Sequence, residues 1–554
     1  MLRILIISLG ILGIQGMESK IDFSLLESSE PADILISFGQ IPSSIYRSNN
    51  ARISRTNHIS NMVSSLKSHS SDSQNDVTDF LQKERIPFEQ LWITNQIVIK
   101  RCSQGIMRKL SEFPLVSRIS EDVHYPLDEP QFPVQVSGTK IGDTPEWGIS
   151  MVKAPEANSL LSEVLGSDDG TVDLPEIRVV VIDTGILHTH EAVRNNFLGT
   201  YGWYDPSNGR LDPYDDNGHG THVTGTICGT NGIGVFPNAK FMSCKGCGAS
   251  CASSALIACG QFAVCPHLSD GSSPNCSYAA SVVSNSWNGG QGQTWFDPVI
   301  EAWHSAGIIP VVSSGNTGPP CGTVSSPADR NVIAVGSTTN IDSISYFSAV
   351  GPSVFGEVKP DLTAPGHDVV SAWITGNTAY AMASGTSMAC PHATGLIALL
   401  LAYKPDLTYA QVKEALFGGA DTANLVASGR NCGGINESEF PNNVYGHGRI
   451  NALESLKALI EAYPITTEPP TEEPTTEPPT EEPTTEPPTE EPTTEPPTEE
   501  PITEEPPTTP TPGNGCVHGP FWFPDEVNVP NLICICQSSC SSQYSYNCLT
   551  AANP

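Results

Sequence analysis

Three short segments of this chain carry side chains that make chemical sense only together. Ser387 sits in Gly385-Thr386-Ser387-Met388-Ala389-Cys390-Pro391-His392, and His219 in Gly218-His219-Gly220-Thr221-His222. Asp183 ends the apolar run of Val180-Val181-Ile182-Asp183-Thr184-Gly185. An unassisted hydroxyl is a weak nucleophile. A histidine that takes its proton and returns it to a leaving amine makes it a competent one. A carboxylate that fixes the imidazole tautomer and stabilises its charged form completes the set. The chemistry is acyl transfer through a covalent intermediate. Small neighbours at Gly385 and Ala389 let a substrate backbone approach and let a helix begin at the serine. The Ser387 N–H, at that helix N-terminus, can then face a developing oxyanion.

Other reactive side chains nearby have plainer readings. His222 reads as a structural partner rather than a second base. His188 and His190 follow Asp183 closely, but no cysteine follows at zinc-like spacing, so no metal site is assigned. Cys390 lies in a small, apolar context that favours an inert core thiol over a catalytic one.

Such residues need a rigid scaffold. Arg178–Ile182, Ser281–Ser284, Gly307–Ser313 and Asn331–Val335 are short and rich in Val and Ile. Helical apolar patterns appear at Ala389–Leu401 and Tyr409–Leu416. Buried parallel strands with crossover helices give this alternation, so the expected fold is α/β with helices on both faces of the sheet. In such sheets the active site lies beyond the strand C-termini, where the Asp183 run ends.

The order Asp, His, Ser is that of the subtilisin family of serine proteases, and the three motifs resemble that family's. The resemblance covers about Trp147–Leu456. Cys244-Lys245-Gly246-Cys247 through Cys259-Gly260-Gln261-Phe262, and Pro441–Asn451, look like its bacillopeptidase F-like branch. The resemblance implies catalytic roles for Asp183, His219 and Ser387. It implies a second oxyanion donor at Asn316, in Val311–Gly318. It also implies a substrate cleft lined by Ser286, Trp287, Asn288 and Gly289 on one side and Ser314 and Gly315 on the other, where an extended peptide adds as a strand. Lys359–Gly366 resembles a further family segment, of structural role. No cofactor is expected for the chemistry. A structural calcium is not located: residues 229–234 are shorter than the family's tight calcium loop and offer no carboxylate.

Two other departures from the family matter. Asn288 stands where many relatives have glycine on the wall of the main specificity pocket. Cys244, Cys247, Cys251, Cys259, Cys265, Cys276 and Cys321 are additions, expected to form disulfides of undetermined connectivity rather than a zinc ribbon. Ser284–Gly290, Ser313–Gly318 and Thr323–Ser326 contain no carboxylate to pair with a Lys or Arg side chain, so neutral or apolar residues are the expected preference.

The chain of 554 residues divides into five expected regions. Residues 1–16 read as a signal peptide, with Arg3 before the apolar run Ile4–Ile14 and a small residue at Gly16. Residues 17–137 resemble the inhibitory propeptide of subtilisins, with strand-like runs at Asp33–Phe38, Leu91–Lys100 and Val116–Asp122 and a helix near Ile106–Phe113. Residues 138–464 are the catalytic domain. Residues 465–515 are a disordered Thr/Pro/Glu stalk with a nine-residue period. Residues 516–554 are a Cys-rich module with an aromatic run at Phe521-Trp522-Phe523, read as attaching to polysaccharide or matrix. The net charge of −33 argues against nucleic acid. Fourteen glutamates of the stalk supply part of it, leaving −19 elsewhere. No stretch after the leader reads as apolar enough to span a membrane. Sixteen cysteines fit an oxidising, extracellular destination, and Asn275 and Asn436 head glycosylation triplets.

The expected protein is thus a secreted endopeptidase, made as a zymogen that processes itself, acting on protein substrates and inhibited by its own propeptide. The alternative is an inactive protease-like secreted binding or adhesive protein. An esterase shares the nucleophile chemistry but not the motif order.

Overall fold

The computed structural model describes residues 20–47, 53–127, 131–136, 144–166 and 173–464, with the backbone of two strands at 515–518 and 521–524. The leader, most of the stalk and the remaining Cys-rich module lie outside the described residues.

The N-terminal body is α+β. Its elements are β1 (Ala32–Ser37), α1 (Arg55–Lys83), β2 (Glu89–Leu91), β3 (Gln96–Cys102), α2 (Gln104–Ser111) and β4 (Arg118–Glu121). The antiparallel order is β2-β3-β1-β4. Alternation along the strands gives the sheet two apolar faces. Ile34, Ile36, Ile97, Ile99 and Ile119 pack with Val77, Leu81, Met107 and Leu110 as this body's own core. Leu35 and Val98 join a different cluster, shared with Leu256, Phe262, Val299 and Trp303 of the larger body.

Two expectations for this body need correction. The run Leu91–Lys100 is not one strand: it breaks at Asn95, which adopts φ 53°, a left-handed conformation that Asn tolerates well. The 29-residue helix α1 was not anticipated. Its first half inserts Ile59, Met62, Val63 and Leu66 into the shared cluster. At its N-terminus the Arg55 guanidinium donates to the carbonyls of Ala306 and Ala280, and His58 bonds Ser305.

The larger body is built on seven parallel strands: β7 (Arg178–Asp183), β8 (Trp203–Tyr204), β9 (Lys240–Lys245), β11 (Val282–Asn285), β12 (Ile309–Ser313), β13 (Ile333–Thr338) and β14 (Leu362–Pro365). Their order is β14-β13-β12-β11-β7-β9-β8. From β7 the chain adds edge strand β8 and then β9 between them on one side, and β11 to β14 successively outward on the other, so the switch point falls between β7 and β11. Helices cover both faces, as the buried strands require. Val179 and Val181 face the cluster containing Val223 and Leu396, while Val180 and Ile182 face Leu256 and Phe262. The helices in question are α3 (His219–Cys228), α4 (Ser253–Val264), α5 (Asp297–Ser305) and α6 (Thr386–Tyr403). Every residue of α6 is buried. With 18 residues at mean hydropathy 1.3 it is long and apolar enough to cross a membrane, which corrects the sequence reading. Here that apolarity serves a helix enclosed on all sides by protein.

Five further strands form two small antiparallel sheets. β5 (His124–Pro126) pairs antiparallel with β10 (Ser250–Ala252). β6 (Gln131–Gln135) pairs antiparallel with β16 (Tyr380–Ser384), whose other neighbour is β15 (Val369–Ala372). Four disulfides brace the described residues: Cys244–Cys259, Cys247–Cys251, Cys265–Cys276 and Cys321–Cys432. Both cysteines of the zinc-ribbon reading are therefore spent in disulfides. Cys432 was not foreseen as the partner of Cys321. A second unit, residues 468–554, contains an antiparallel pair of strands, Gly515–His518 and Phe521–Pro524.

Candidate active site

Asp183 ends β7 and Asn285 ends β11, so the site opens at the switch point of the sheet. Asp183 Oδ1 accepts from His219 Nδ1 at 2.7 Å and from Thr184 N at 2.8 Å. This bond sets the imidazole tautomer, with the proton on Nδ1 and Nε2 left as the basic nitrogen. His219 opens α3, and two glycines make that possible. Gly218 has φ 104°, and a Cβ there would stand 2.9 Å from Trp373. A Cβ on Gly220 would stand 2.3 Å from the Gly185 carbonyl. Asp215 caps this start: Oδ1 accepts from Asn217 N, Gly218 N and Thr184 Oγ1, and Oδ2 accepts from Thr221 N and Oγ1.

Ser387 is the second residue of α6, just past the β16 strand end. Pro391 lies one turn on and has no N–H to donate back to the Ser387 carbonyl. That carbonyl is taken instead by Ser286 Oγ at 3.1 Å, while Ser387 Oγ donates to Ser286 O at 3.3 Å. The proline thus frees the bond that ties the cleft strand to the serine. Asp183, His219 and Ser387 are at most 1% exposed.

Asn316 follows β12. Its Oδ1 accepts from Thr386 N and Thr386 Oγ1, both at 2.9 Å. A backbone N–H can only donate, so this orients the amide with oxygen toward Thr386 and Nδ2 the other way. Nδ2 lies 3.5 Å from where a Gly385 Cβ would stand, beside the first-turn N–H groups of α6, which lack intrahelical acceptors. Two donors thus converge near the serine.

The remaining sequence-predicted residues come together around this centre. Ser286 touches Ser387 directly. Trp287 is fully buried and edge-on to Phe296 at 5.2 Å. Gly289 N donates to Ser326 O, and Ser314 N to Val335 O. Gly315 N donates to Thr386 Oγ1. The space over Gly315 is narrow and uncharged: a Cβ there would meet Ser325 Oγ at 3.2 Å, and the Ala349 methyl and Asn288 Oδ1 each at 3.5 Å. Asp329, unremarked in the sequence, holds this wall by accepting from Ser326 Oγ and Gly292 N.

The plainer readings of the neighbouring side chains agree with their surroundings. His222 Nε2 donates to the carbonyls of Val369 and Ala381, and burial pushes its pKa down to about 3, so it stays neutral. Burial pushes the Cys390 thiol up to about 11, which removes its reactivity. His190 is committed to the Ala379 carbonyl and Ala192 N. In the loop 229–234, Asn231 Nδ2 donates to the Tyr380 hydroxyl and Thr230 Oγ1 to the Ala192 carbonyl. Arg449, in the branch-like segment 441–451, binds Asp342 and Asp421 and pins the C-terminal loops structurally.

Residues 175–448 match the Subtilase family. Bacillopeptidase F of Bacillus subtilis strain 168 is 32% identical over 437 residues, covering 72% of this chain and 29% of that protein. Serine protease AprX of the same strain is 31% identical over 313 residues, covering 50% and 66%. Subtilisin-like serine protease Rho m 2.0101 of Rhodotorula mucilaginosa is 32% identical over 327 residues, covering 54% and 89%. The chain thus spans less than two thirds of the two Bacillus relatives. By these matches the chain belongs to the subtilase family, on its bacillopeptidase F branch.

Proposed function

We propose that this chain is a secreted serine endopeptidase, made as a zymogen that cuts itself. The observation that carries the catalytic reading is the 2.7 Å Asp183–His219 bond at the switch point, with Ser387 at the start of the adjoining buried helix. His219 takes the Ser387 proton as Oγ attacks the substrate carbonyl, then gives it to the leaving amine. Asp183 holds the imidazolium. Asn316 Nδ2 and the Ser387 N–H stabilise the oxyanion. Deacylation repeats the sequence with water. Nucleophile, base and donors all come from the protein. The bonding of Asn316 to Thr386 favours this over an inactive binding protein, which needs no such donor.

The zymogen reading draws on the strands beside the site. β5 lies on the β10 edge, and its Tyr125 ring stands 3.6 Å from where a Gly289 Cβ would be. Gln131 pairs with Ser384, three residues before Ser387. We therefore place the self-cleavage within residues 127–131 and read the segment before the cut as the propeptide and inhibitor, so that β6, at the end of the expected 17–137 region, stays paired with β16 in the mature chain. The pocket around Gly315, Asn288 and Ser325 favours neutral side chains. The 516–554 module is read as a matrix or polysaccharide anchor on an extended stalk.

The test is expression of the full chain and its Ser387→Ala form. The wild type should yield a new N-terminus within 128–131 and hydrolyse neutral peptides in preference to dibasic ones. The same cut or the same hydrolysis in Ser387→Ala would refute the site. A strong dibasic preference would refute the pocket.

A further inference from the structure

Lys245 ends β9, and the sheet register sets it beside Asp183. Its side chain is 2% exposed. An ammonium in such a place is costly unless its protons find partners. Here Nζ donates to the Thr184 carbonyl at 2.6 Å and to Asp216 Oδ1 at 2.7 Å, and lies 4.7 Å from the centre of the Tyr214 ring. Both partners belong to the catalytic neighbourhood. Thr184 directly follows Asp183, and its N–H donates to the same Oδ1 that receives His219. Its hydroxyl donates to Asp215 and accepts from Gly220 N at the start of α3. Asp216 stands three residues before His219, with a side chain 63% exposed. One buried cation therefore joins the strand that carries the acid to the loop that delivers the base.

We propose that Lys245 is a positioning residue for the Asp183–His219 pair, and that its buried charge offsets the carboxylates around the base. The reasoning rests on the triad assigned above. The charged and titratable groups near His219 are Asp183 from β7, Asp215 and Asp216 from the preceding loop, His222 on its own helix and Lys245 from β9. Arg210 lies over Tyr214 at 3.8 Å and adds a cation on that side. Three carboxylates favour the imidazolium, and Lys245 is the buried charge that opposes them.

Lys245→Met keeps the aliphatic stem and removes the charge. The acid limb of the kcat/KM profile should then move to higher pH by about half a unit, the size expected when one nearby charge is lost in a medium between protein and water. The plateau should fall through kcat more than through KM, because the bonds lost hold the base rather than the substrate. Lys245→Arg should return the limb to the wild-type position. Asp216→Asn gives a second reading of opposite sign: it leaves the Lys245 charge uncompensated, so the limb should move to lower pH. Lys245→Gln, which keeps a donor for the Thr184 carbonyl without the charge, takes the place of Lys245→Met if that variant does not fold. An unmoved limb in both variants, or movement in the same direction, overturns the role of Lys245. An inactive wild type, or hydrolysis surviving in Ser387→Ala, overturns the site reading itself and is thereby distinguished.

Discussion

Asn316 offers the sharpest test of how the site works, because its two ends do different things. Oδ1 holds Thr386, and in the proposed mechanism Nδ2 serves the oxyanion. Removing one donor from such a hole costs about 100- to 1000-fold in kcat, or roughly 2.7–4 kcal/mol, a range that comes from a subtilisin. Asn316→Ala should show that loss, but it also strips a buried N–H and hydroxyl of their acceptor, which costs about 1–3 kcal/mol of folding. Asn316→Asp separates the effects. It keeps an oxygen for Thr386 and puts a negative oxygen where a donor was, so kcat should fall at least 1000-fold while folding stability stays near wild type. KM should change little, since the lost bond forms only as charge develops on the substrate. The assay is steady-state hydrolysis of a neutral peptide anilide, with active enzyme counted by titration. Stability is measured in the Ser387→Ala background, which prevents self-digestion. If Asn316→Asp retains kcat within tenfold of wild type, or loses activity only through KM, the donor role is wrong.

Three other outcomes follow from the same structure. Burial raises the Glu146 carboxyl to about 7, against bonds from Gly148 N and Val370 N that lower it. Its favourable contribution is complete below the ordinary carboxyl range and is lost as pH rises to about 7, so Glu146→Gln should flatten the fall in melting temperature between pH 5 and 8, worth on the order of 2 kcal/mol. The Cys321–Cys432 bridge spans 111 residues; replacing both cysteines with serine should cost up to about 4–5 kcal/mol on the chain-entropy account, read from urea midpoints. Burial works to raise the Asp122 pKa, but bonds from Lys100 and Ser254 outweigh it and hold it below the usual range. Its contribution is therefore present above about pH 4 and lost in stronger acid, so the cleaved N-terminal body should co-elute with the larger body at pH 6 and separate near pH 3. An Asp122→Ala form that stays as firmly bound at pH 6 would contradict this.

The proposed catalytic centre was legible because its chemistry admits few residue types and its motifs are local. Asp183, His219, Ser387 and Asn316 each lie in a segment whose small neighbours are dictated by close approach, as at Gly218 and Gly220. Four of the seven parallel strands, β7, β11, β12 and β13, were legible from Val and Ile runs, whereas β8, β9 and β14 carry no such run. Helix α1 was hidden for a physical reason: midway along its buried stripe stand Ser70 and Gln74 rather than apolar residues. Gln74 Nε2 donates to Asn95 Oδ1, and Ser70 Oγ to the Trp92 carbonyl, so the stripe is satisfied by hydrogen bonds that no hydrophobic period reveals. The same Asn95 splits the strand that the sequence reads as continuous. The roles of Lys245 and Asp329, and the Cys432 pairing, depend on contacts between distant segments and leave no local mark.

Tyr125 stacks on Trp295 at 5.6 Å, and Trp295 in turn meets Trp287 and Phe296. Departure of the N-terminal body would strip one face of the Trp295 indole and open it to water. The indole would then emit at longer wavelength, with Trp287 still enclosed as a steady background. If the chain matures as proposed, it would carry its own optical gauge of that step, readable in an unlabelled sample and independent of any substrate. Such a signal would time the departure of the N-terminal body separately from the cut that precedes it.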